Sequence, residues 1–323
     1  MFAICHRLTQ MVRMTEKSKA TIRLATRGSK LALTQTQRVA DAITRVRPDL
    51  EVELVTVTTA PDVHLDRPVT EFGNKGAFVF DLEDAIREGK ADAAVHSMKD
   101  VPGDIPEDMA IVAVAERVDP RDALVSRTGK SLENLPPGAH IGTSSVRRAG
   151  QLLRLRPDLN IRSMRGNVDS RLRRLREGGF DGIIVAAAGM ERLGISMDIS
   201  ENFSPEKMVP AAGQGMLCVE APVDSKFSQL WSAIDIADES ICAAAERAFI
   251  RVLGADCHSA AGCLCTLKGD RVVINGMVCS PDGKRFEAVE VSGKREEAEK
   301  LAEQAAEDIL KRGGEEILRA PAQ

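Results

Sequence analysis

The chain has no tyrosine and one tryptophan in 323 residues, and aromatic residues make up 3%. Single strands of nucleic acid bind on aromatic stacking platforms, and nucleic-acid proteins carry extended basic faces. With so few rings and a formal charge of −4, the composition argues against a nucleic-acid partner. No run reaches the roughly 18 apolar residues that a membrane span needs, so no membrane partner is expected. There is no P-loop and no dinucleotide glycine fingerprint, which argues against a nucleotide cofactor. His64, His96 and His140 are scattered and make no Ser-His-Asp constellation.

Residues 1–19 lack the continuous apolar segment of a secretory signal. They read as a disordered extension, with Met14 as an alternative start and organelle targeting as an alternative role; the expected location is the cytoplasm. The seven cysteines, at 5, 218, 242, 257, 263, 265 and 279, are odd in number and irregularly spaced. Free thiols in a reducing compartment account for them most simply. His258, Cys263 and Cys265 follow Cys257 as C-H-x4-C-x-C, which matches no zinc spacing, so no metal is expected. No apolar seam is visible, and a monomer is expected.

Hydrophobic residues make up 43% and charged residues 28%, a soluble globular balance, and the length suits two or three domains. The charge is uneven. Between Ile141 and Arg176 ten arginines face only Asp158 and Asp169, a local excess of eight positive charges. Solvated helix faces would explain it, and so would a pocket for an anionic ligand.

Periodicity predicts a strand over Thr21–Thr26, a helix over Leu31–Val46 and a strand over Glu51–Thr58. A helix over Gly76–Glu88 and strands over Asp92–His96 and Ala110–Ala115 follow. A second unit has the same plan: strand end His140–Gly142, helix Val146–Leu155, strand Leu159–Met164. The phrases "RVRPDLEVEL" at 45–54 and "RLRPDLNIRS" at 154–163 mark a weak internal repeat, hence two similar α/β domains. A helix over Asn167–Arg176, a strand over Asp181–Ala187 and an irregular return crossing over 201–215 come next. After a helix over Ile236–Leu253, a strand meander and an amphipathic helix over Lys294–Lys311, closed by Gly313-Gly314, predict a small α+β third domain.

Open α/β sheets bind ligands beyond the carboxyl ends of their strands, where helix N-termini offer free N–H groups. Arg27-Gly28-Ser29, Lys99-Asp100, Thr143-Ser144-Ser145-Val146-Arg147-Arg148 and Arg165-Gly166-Asn167 all fall at such ends. Together they suit carboxylates or phosphates. Asp100 would be the one acid among these cations, placed to stabilise a cationic intermediate or move protons; a structural salt bridge or helix cap is the plainer alternative. Cys257 is the remaining reactive candidate, in a loop before the third sheet, although a lone cysteine is more often an inert core residue.

Seven segments, in one order, resemble porphobilinogen deaminase: "RLATRGSKLALTQTQ" at 23–37, "NKGAFVFDLEDAI" at 74–86, "ADAAVHSMKDVP" at 91–102, "DPRDALVSR" at 119–127, "IGTSSVRRAGQL" at 141–152, "RGNVDSRLRRL" at 165–175 and "VPAAGQGMLCVE" at 209–220. The resemblance spans about 21–265. It implies two periplasmic-binding-protein-like α/β domains plus a smaller C-terminal α+β domain with a three-stranded antiparallel sheet. The expected division is 20–115 plus 216–233, 121–209 and 236–323.

The resemblance also implies a dipyrromethane cofactor in thioether linkage to Cys257. Four porphobilinogens are then added head to tail with loss of ammonia, and water releases hydroxymethylbilane. Each pyrrole carries an acetate and a propionate, which would explain the arginines. By motif position Ser97, Lys99, Thr143, Ser145, Arg147 and Arg148 would hold the cofactor, with Asp100 and Arg171 also touching it. Arg27, Ser29, Arg165, Arg171 and Arg192 would hold the incoming pyrrole, and Gln35 and Lys75 would line the cleft or its lid. Asp100 would face the pyrrole nitrogens, assist loss of ammonia, stabilise the azafulvenium cation and help remove the α-proton.

Two segments depart from the family. Its usual Gly-Gly-Cys-x-Val-Pro loop is here Ala255-Asp256-Cys257-His258-Ser259-Ala260, with an acid that would disfavour a thiolate, and Asn74 replaces a glycine before Lys75. Cys242 and Cys263 are alternative thiols. A non-catalytic receptor for a small anion is the competing function, but it would need neither Cys257 nor Asp100.

Overall fold

The computed structural model describes residues 20–59, 79–256 and 259–320. The expectations at Lys75, His64, Cys257, His258 and the N-terminal extension lie outside the described residues. The first strand, β1 (Ala20–Arg27), has Ile22, Leu24 and Ala25 fully buried. It leads into α1 (Lys30–Val46), whose first turn is capped by Ser29, the side chain accepting from the Ala32 amide. Gln35, Thr36, Val39, Ala40 and Ile43 form its buried face, at the three- and four-residue spacing of an amphipathic helix. Pro48 follows the end of the helix, where a proline disfavours further α conformation. The chain then returns as β2 (Leu50–Val57).

Next come α2 (Phe80–Arg87), β3 (Ala93–Ser97) and β4 (Met109–Arg117). The chain crosses into a second sheet as β5 (Asp122–Ser126), β6 (His140–Gly142), α3 (Val146–Leu155), β7 (Asn160–Arg162), α4 (Val168–Glu177), β8 (Gly182–Ala186), α5 (Ala187–Arg192) and β9 (Glu201–Asn202). It comes back as β10 (Met216–Pro222). The first sheet has the order β2-β1-β3-β10-β4 and the second β7-β6-β8-β5-β9. In each, the first three strands are parallel and the fourth is antiparallel, contributed by a segment arriving from the other sheet. The two units thus share one plan and exchange one strand, which accounts for the repeated phrase.

The rest is α6 (Ser228–Ile234), α7 (Ala237–Val252) and an antiparallel meander, β11 (Ala261–Lys268), β12 (Arg271–Cys279) and β13 (Phe286–Lys294), followed by α8 (Ala298–Ile309) and α9 (Glu315–Leu318). Two helix boundaries differ from the periodicity. Lys294 ends β13, paired with Arg271, so the last long helix starts at Ala298 after a 3-10 turn. Gly313, at φ +94°, breaks that helix, but α9 continues beyond it. The strand expected over Leu159–Met164 is only Asn160–Arg162. Strands β5 and β10 were missing from the periodic pattern; every residue of β5 is buried and all but Pro222 of β10, and a strand buried on both faces shows no alternation. Among the described residues, no helix is long and apolar enough to cross a membrane.

Candidate functional site

A cavity of about 310 Å³ lies where the three sheets meet. The turn after β3 brings Lys99 and Asp100 to its wall, α3 brings Ser145, Arg147 and Arg148, and the loop before β11 brings Asp256 and Ser259. Met98, 2% exposed, anchors the β3 turn, and the Val101 amide closes it by donating to the Met98 carbonyl at 3.1 Å. The turn therefore leaves Asp100 exposed and Lys99 half-buried.

The N-terminus of α3 is built by local hydroxyls. Thr143 Oγ1 accepts from the Ser145 amide at 3.1 Å, and Ser145 Oγ accepts from the Arg148 amide at 3.4 Å. Such caps satisfy the orphan donors of a first turn. Arg147 and Arg148 follow in that turn, and both turn inward to one carboxylate. Asp122, fully buried at the start of β5, accepts from Arg147 Nη1 at 2.7 Å and from Arg148 Nε at 2.8 Å. Arg147 also donates to the Val209 carbonyl at 2.6 Å and Arg148 to the Ile184 carbonyl at 3.2 Å. Gln214 joins this group to the β3 turn: its Nε2 donates to Asp122 Oδ1 at 3.1 Å, and its Oε1 accepts from Lys99 Nζ at 3.4 Å.

These contacts set the charges. Burial alone would raise the Asp122 carboxyl, but Arg147 and Arg148 outweigh it and hold it well below the usual range. Burial lowers the Lys99 ammonium to about 8, opposed by Asp100 and reinforced by Arg148. Arg148 is also lowered by burial, against the pull of Asp122. Arg171 comes down to about 10 through burial, Arg148 and Arg174. Cations buried together in this way would be relieved by an arriving anion.

Of the residues singled out from the sequence, Lys99, Asp100, Ser145, Arg147 and Arg148 line this cavity. Thr143 and Gln35 stand one step behind, Gln35 Nε2 donating to Ser97 Oγ at 2.8 Å. Ser29 caps α1. Arg27 is half-buried at the end of β1 and Arg165 exposed after β7, while Arg171 Nε donates to the Gly166 carbonyl at 2.7 Å; none of the three lines the cavity. Arg192 is not brought to it either. Its buried guanidinium meets Glu116 at 3.2 Å and the Gly215 carbonyl at 2.6 Å, because a cation in that interior needs acceptors. Lys75 and Cys257 lie outside the described residues. The flanks of position 257 are at the site, however: Ala255, Asp256 and Ser259 all line the cavity. The Ser259 amide donates to the Asp256 carbonyl at 3.1 Å, and its hydroxyl to Asp256 Oδ1 at 2.9 Å.

The remaining arginines of the 141–176 stretch divide. Arg154 stacks on Phe286 at 4.0 Å, Arg156 pairs with Asp158, and Arg176 with Asp198; these are structural. Cys218, Cys242, Cys263, Cys265 and Cys279 are free and buried, and none lines the cavity. Burial pushes the Cys263 thiol well up and Cys279 to about 12, so neither is a ready nucleophile. Asp122, Gln214 and Arg247 had no role assigned from sequence. Asp122 and Gln214 fall inside two quoted motifs, where a polar residue at the edge of a buried strand was the available signal.

Two family models match the chain. "Porphobilinogen deaminase, dipyromethane cofactor binding domain" covers residues 22–229, and "Porphobilinogen deaminase, C-terminal domain" covers 240–311. A porphobilinogen deaminase of Roseiflexus sp. (strain RS-1) is 44% identical over 301 residues, 93% of this chain and 99% of that one. That of Roseiflexus castenholzii is 44% identical over 296 residues, 91% and 97%. Among solved structures, a YaeC-family lipoprotein from Enterococcus faecalis superposes with a TM-score of 0.41 at 15% identity, covering 68% of this chain and 94% of that one.

Proposed function

The chain belongs to the porphobilinogen deaminase family, and from that premise we propose how its residues divide the work. The protein is a transferase, a hydroxymethylbilane synthase, that condenses four porphobilinogens head to tail on a dipyrromethane cofactor with release of ammonia. The cavity fits that cofactor. Two linked pyrroles carry four carboxylates, and Lys99, Arg147 and Arg148 meet there with the capped N-terminus of α3. When bound, the cofactor supplies the electron-rich pyrrole carbon from which the chain grows.

In our assignment Lys99, Ser145, Arg147 and Arg148 hold carboxylates, backed by Ser97, Thr143 and Asp122. Asp100 faces the ring nitrogens. Its carboxylate stabilises the cation left when a substrate loses ammonia and accepts the proton released after coupling. Arg27, Ser29, Arg165 and Arg171, around the neighbouring strand ends, take the incoming pyrrole together with Lys75, and Gln35 holds Ser97. Cys257 carries the thioether; the observation behind this assignment is that the residues on both sides of it line the same cavity as Asp100. We divide the chain into 20–115 plus 216–233, 121–209 and 236–323; three separate sheets support a division into three. A monomer of the cytoplasm, without nucleic-acid or membrane partners, suits the acidic charge and the free thiols.

Intact mass of the purified protein beside Cys257→Ser tests the assignment. The expected result is an excess of two pyrrole units in the wild type that is lost in the serine variant. A loaded serine variant would move the attachment elsewhere, and an unloaded wild type supplied with porphobilinogen would overturn the cofactor site.

A further inference from the structure

Strand β3 delivers Lys99 and Asp100, so whatever fixes β3 fixes the reactive turn. Its two faces are held by different side chains. On the α1 face Gln35 grips Ser97. On the α2 face His96 Nε2 lies 3.0 Å from Glu220 Oε2, with His96 7% exposed and Glu220 fully buried. The contact is diagonal: in the antiparallel pairing of β3 with β10, His96 stands opposite Cys218, and Glu220 opposite Ala94. A diagonal grip resists sliding of one strand along the other.

The location of Glu220 ties this grip to the site. Strand β10 leaves the return crossing just after Gln214, which touches Lys99 and Asp122. The segment from Gln214 to Glu220 therefore meets the lysine at one end and clamps the strand leading into the lysine at the other. The clamp is built at a cost. Among the described residues, Glu220 Oε1 is buried without a hydrogen-bond partner. Glu83 of α2, 2% exposed, faces the same group, its carboxyl raised by burial and by Glu220. Arg87, which donates to Glu83 at 3.2 Å, and Arg247 of α7 bring the nearby positive charge. An oxygen left unpaired in a core calls for an explanation beyond packing, and a well-packed apolar pair would fill the space without it.

We infer that His96 and Glu220 are positioning residues of the condensation, clamping β3 to β10 so that Lys99 and Asp100 enter the cavity at a fixed register. The inference rests on Asp100 being the reactive carboxylate. The test compares Glu220→Ala, Glu220→Gln, His96→Asn and Asp100→Asn as holoenzymes, each first checked by intact mass for cofactor. A small misplacement of a reacting group costs on the order of 10-fold to 100-fold. Glu220→Ala is expected to lose kcat on that scale with little change in KM. Glu220→Gln, whose amide oxygen can still meet His96, retains most of kcat. His96→Asn, too short to reach Glu220, behaves like Glu220→Ala and serves if that variant does not fold. Normal kcat in a loaded Glu220→Ala or His96→Asn overturns the inference, as does a Glu220→Gln as slow as Glu220→Ala, which would make charge rather than grip the cause. Normal turnover in Asp100→Asn would instead overturn the assignment of the site, and this inference with it.

Discussion

Lys99 shows how a single residue records the ligand it serves. Its ammonium is lowered from 10.5 to about 8, chiefly by burial. Between those two values the unfolded chain holds more protons than the folded one, so stability rises with pH across that window. Below it, the charged lysine costs the fold something that a bound carboxylate returns. In Cys257→Ser protein without cofactor, amine-reactive labelling of Lys99 should therefore titrate near pH 8, ahead of the surface lysines, and porphobilinogen should suppress it. Asp122 has the opposite sign. Burial opposes ionisation, but Arg147 and Arg148 hold its pKa well below 3.8, so its contribution is complete above about pH 4 and is lost only in stronger acid. Replacing one partner of a buried ion pair costs about 3–5 kcal/mol. Asp122→Ala, which leaves two buried guanidiniums without their carboxylate, should lose that much in urea denaturation at pH 7. The gap from wild type should stay constant down to pH 5 and close only below pH 4.

At the scale of elements, α3 couples the site to the third sheet. Gly150, on the helix, lies against the end of β12: a Cβ there would meet the Ser280 carbonyl oxygen at 2.5 Å and Cys279 Sγ at 2.6 Å. A Cβ on Gly283, at φ +72°, would likewise meet the Gly150 carbonyl oxygen at 2.5 Å and the Arg154 amide nitrogen at 2.6 Å, and Arg154 stacks on Phe286. Helix propensity alone makes Gly150→Ala stabilising by about 1 kcal/mol. A backbone carbonyl at 2.5 Å leaves the methyl no room, and overpacking costs about 1–3 kcal/mol. The variant should therefore melt lower than wild type, the reverse of the propensity rule, and should load cofactor more slowly because Arg147 and Arg148 ride on the same helix. That contact marks where sequence stops being informative. Helix α1, β2 and β13 were readable because their burial is periodic, and the strand-end candidates because cations and hydroxyls cluster beside helix starts. Gly150 against Ser280, Asp122 under two arginines and Glu220 against His96 join residues about 25 to 130 positions apart. Their partners are chosen by tertiary packing, and no local pattern announces them. The partners of Arg192 are equally illegible: Glu116 and the Gly215 carbonyl, 76 and 23 positions away, engage its guanidinium.

At the scale of the molecule, the three sheets are not equally joined. The first and third share one core, in which Met98, Val114, Met216 and Cys218 pack with Phe249, Cys263 and Ile274. The second has clusters of its own around Leu124, Ile141 and Ile184 and around Ile183 and Met190. Glu246 of α7 fastens the shared core. Fully buried, it accepts from Arg117 Nη2 at the end of β4 at 2.8 Å, from the Gly213 amide at 2.6 Å and from the Cys265 amide in β11 at 2.8 Å. Asp100 and the flanks of position 257 thus stand on one body, while Arg147, Arg148 and Asp122 stand on the other, joined to the first through Gln214 and to the third sheet through a smaller cluster of Val209, Ala260, Met277 and Cys279. A change in the angle between the bodies would alter the space for a growing chain while leaving the distance from Asp100 to the attachment loop unchanged. Arg117→Ala tests the division. It leaves the Glu246 carboxylate buried without its cation, at a cost of about 3–5 kcal/mol. Hydrogen exchange should then rise together in β4, β10 and β11, while β6 and β8 keep their protection. Equal loss in all five strands would mean that the molecule unfolds as one unit, and that the cavity widens by some motion other than rotation between these two bodies.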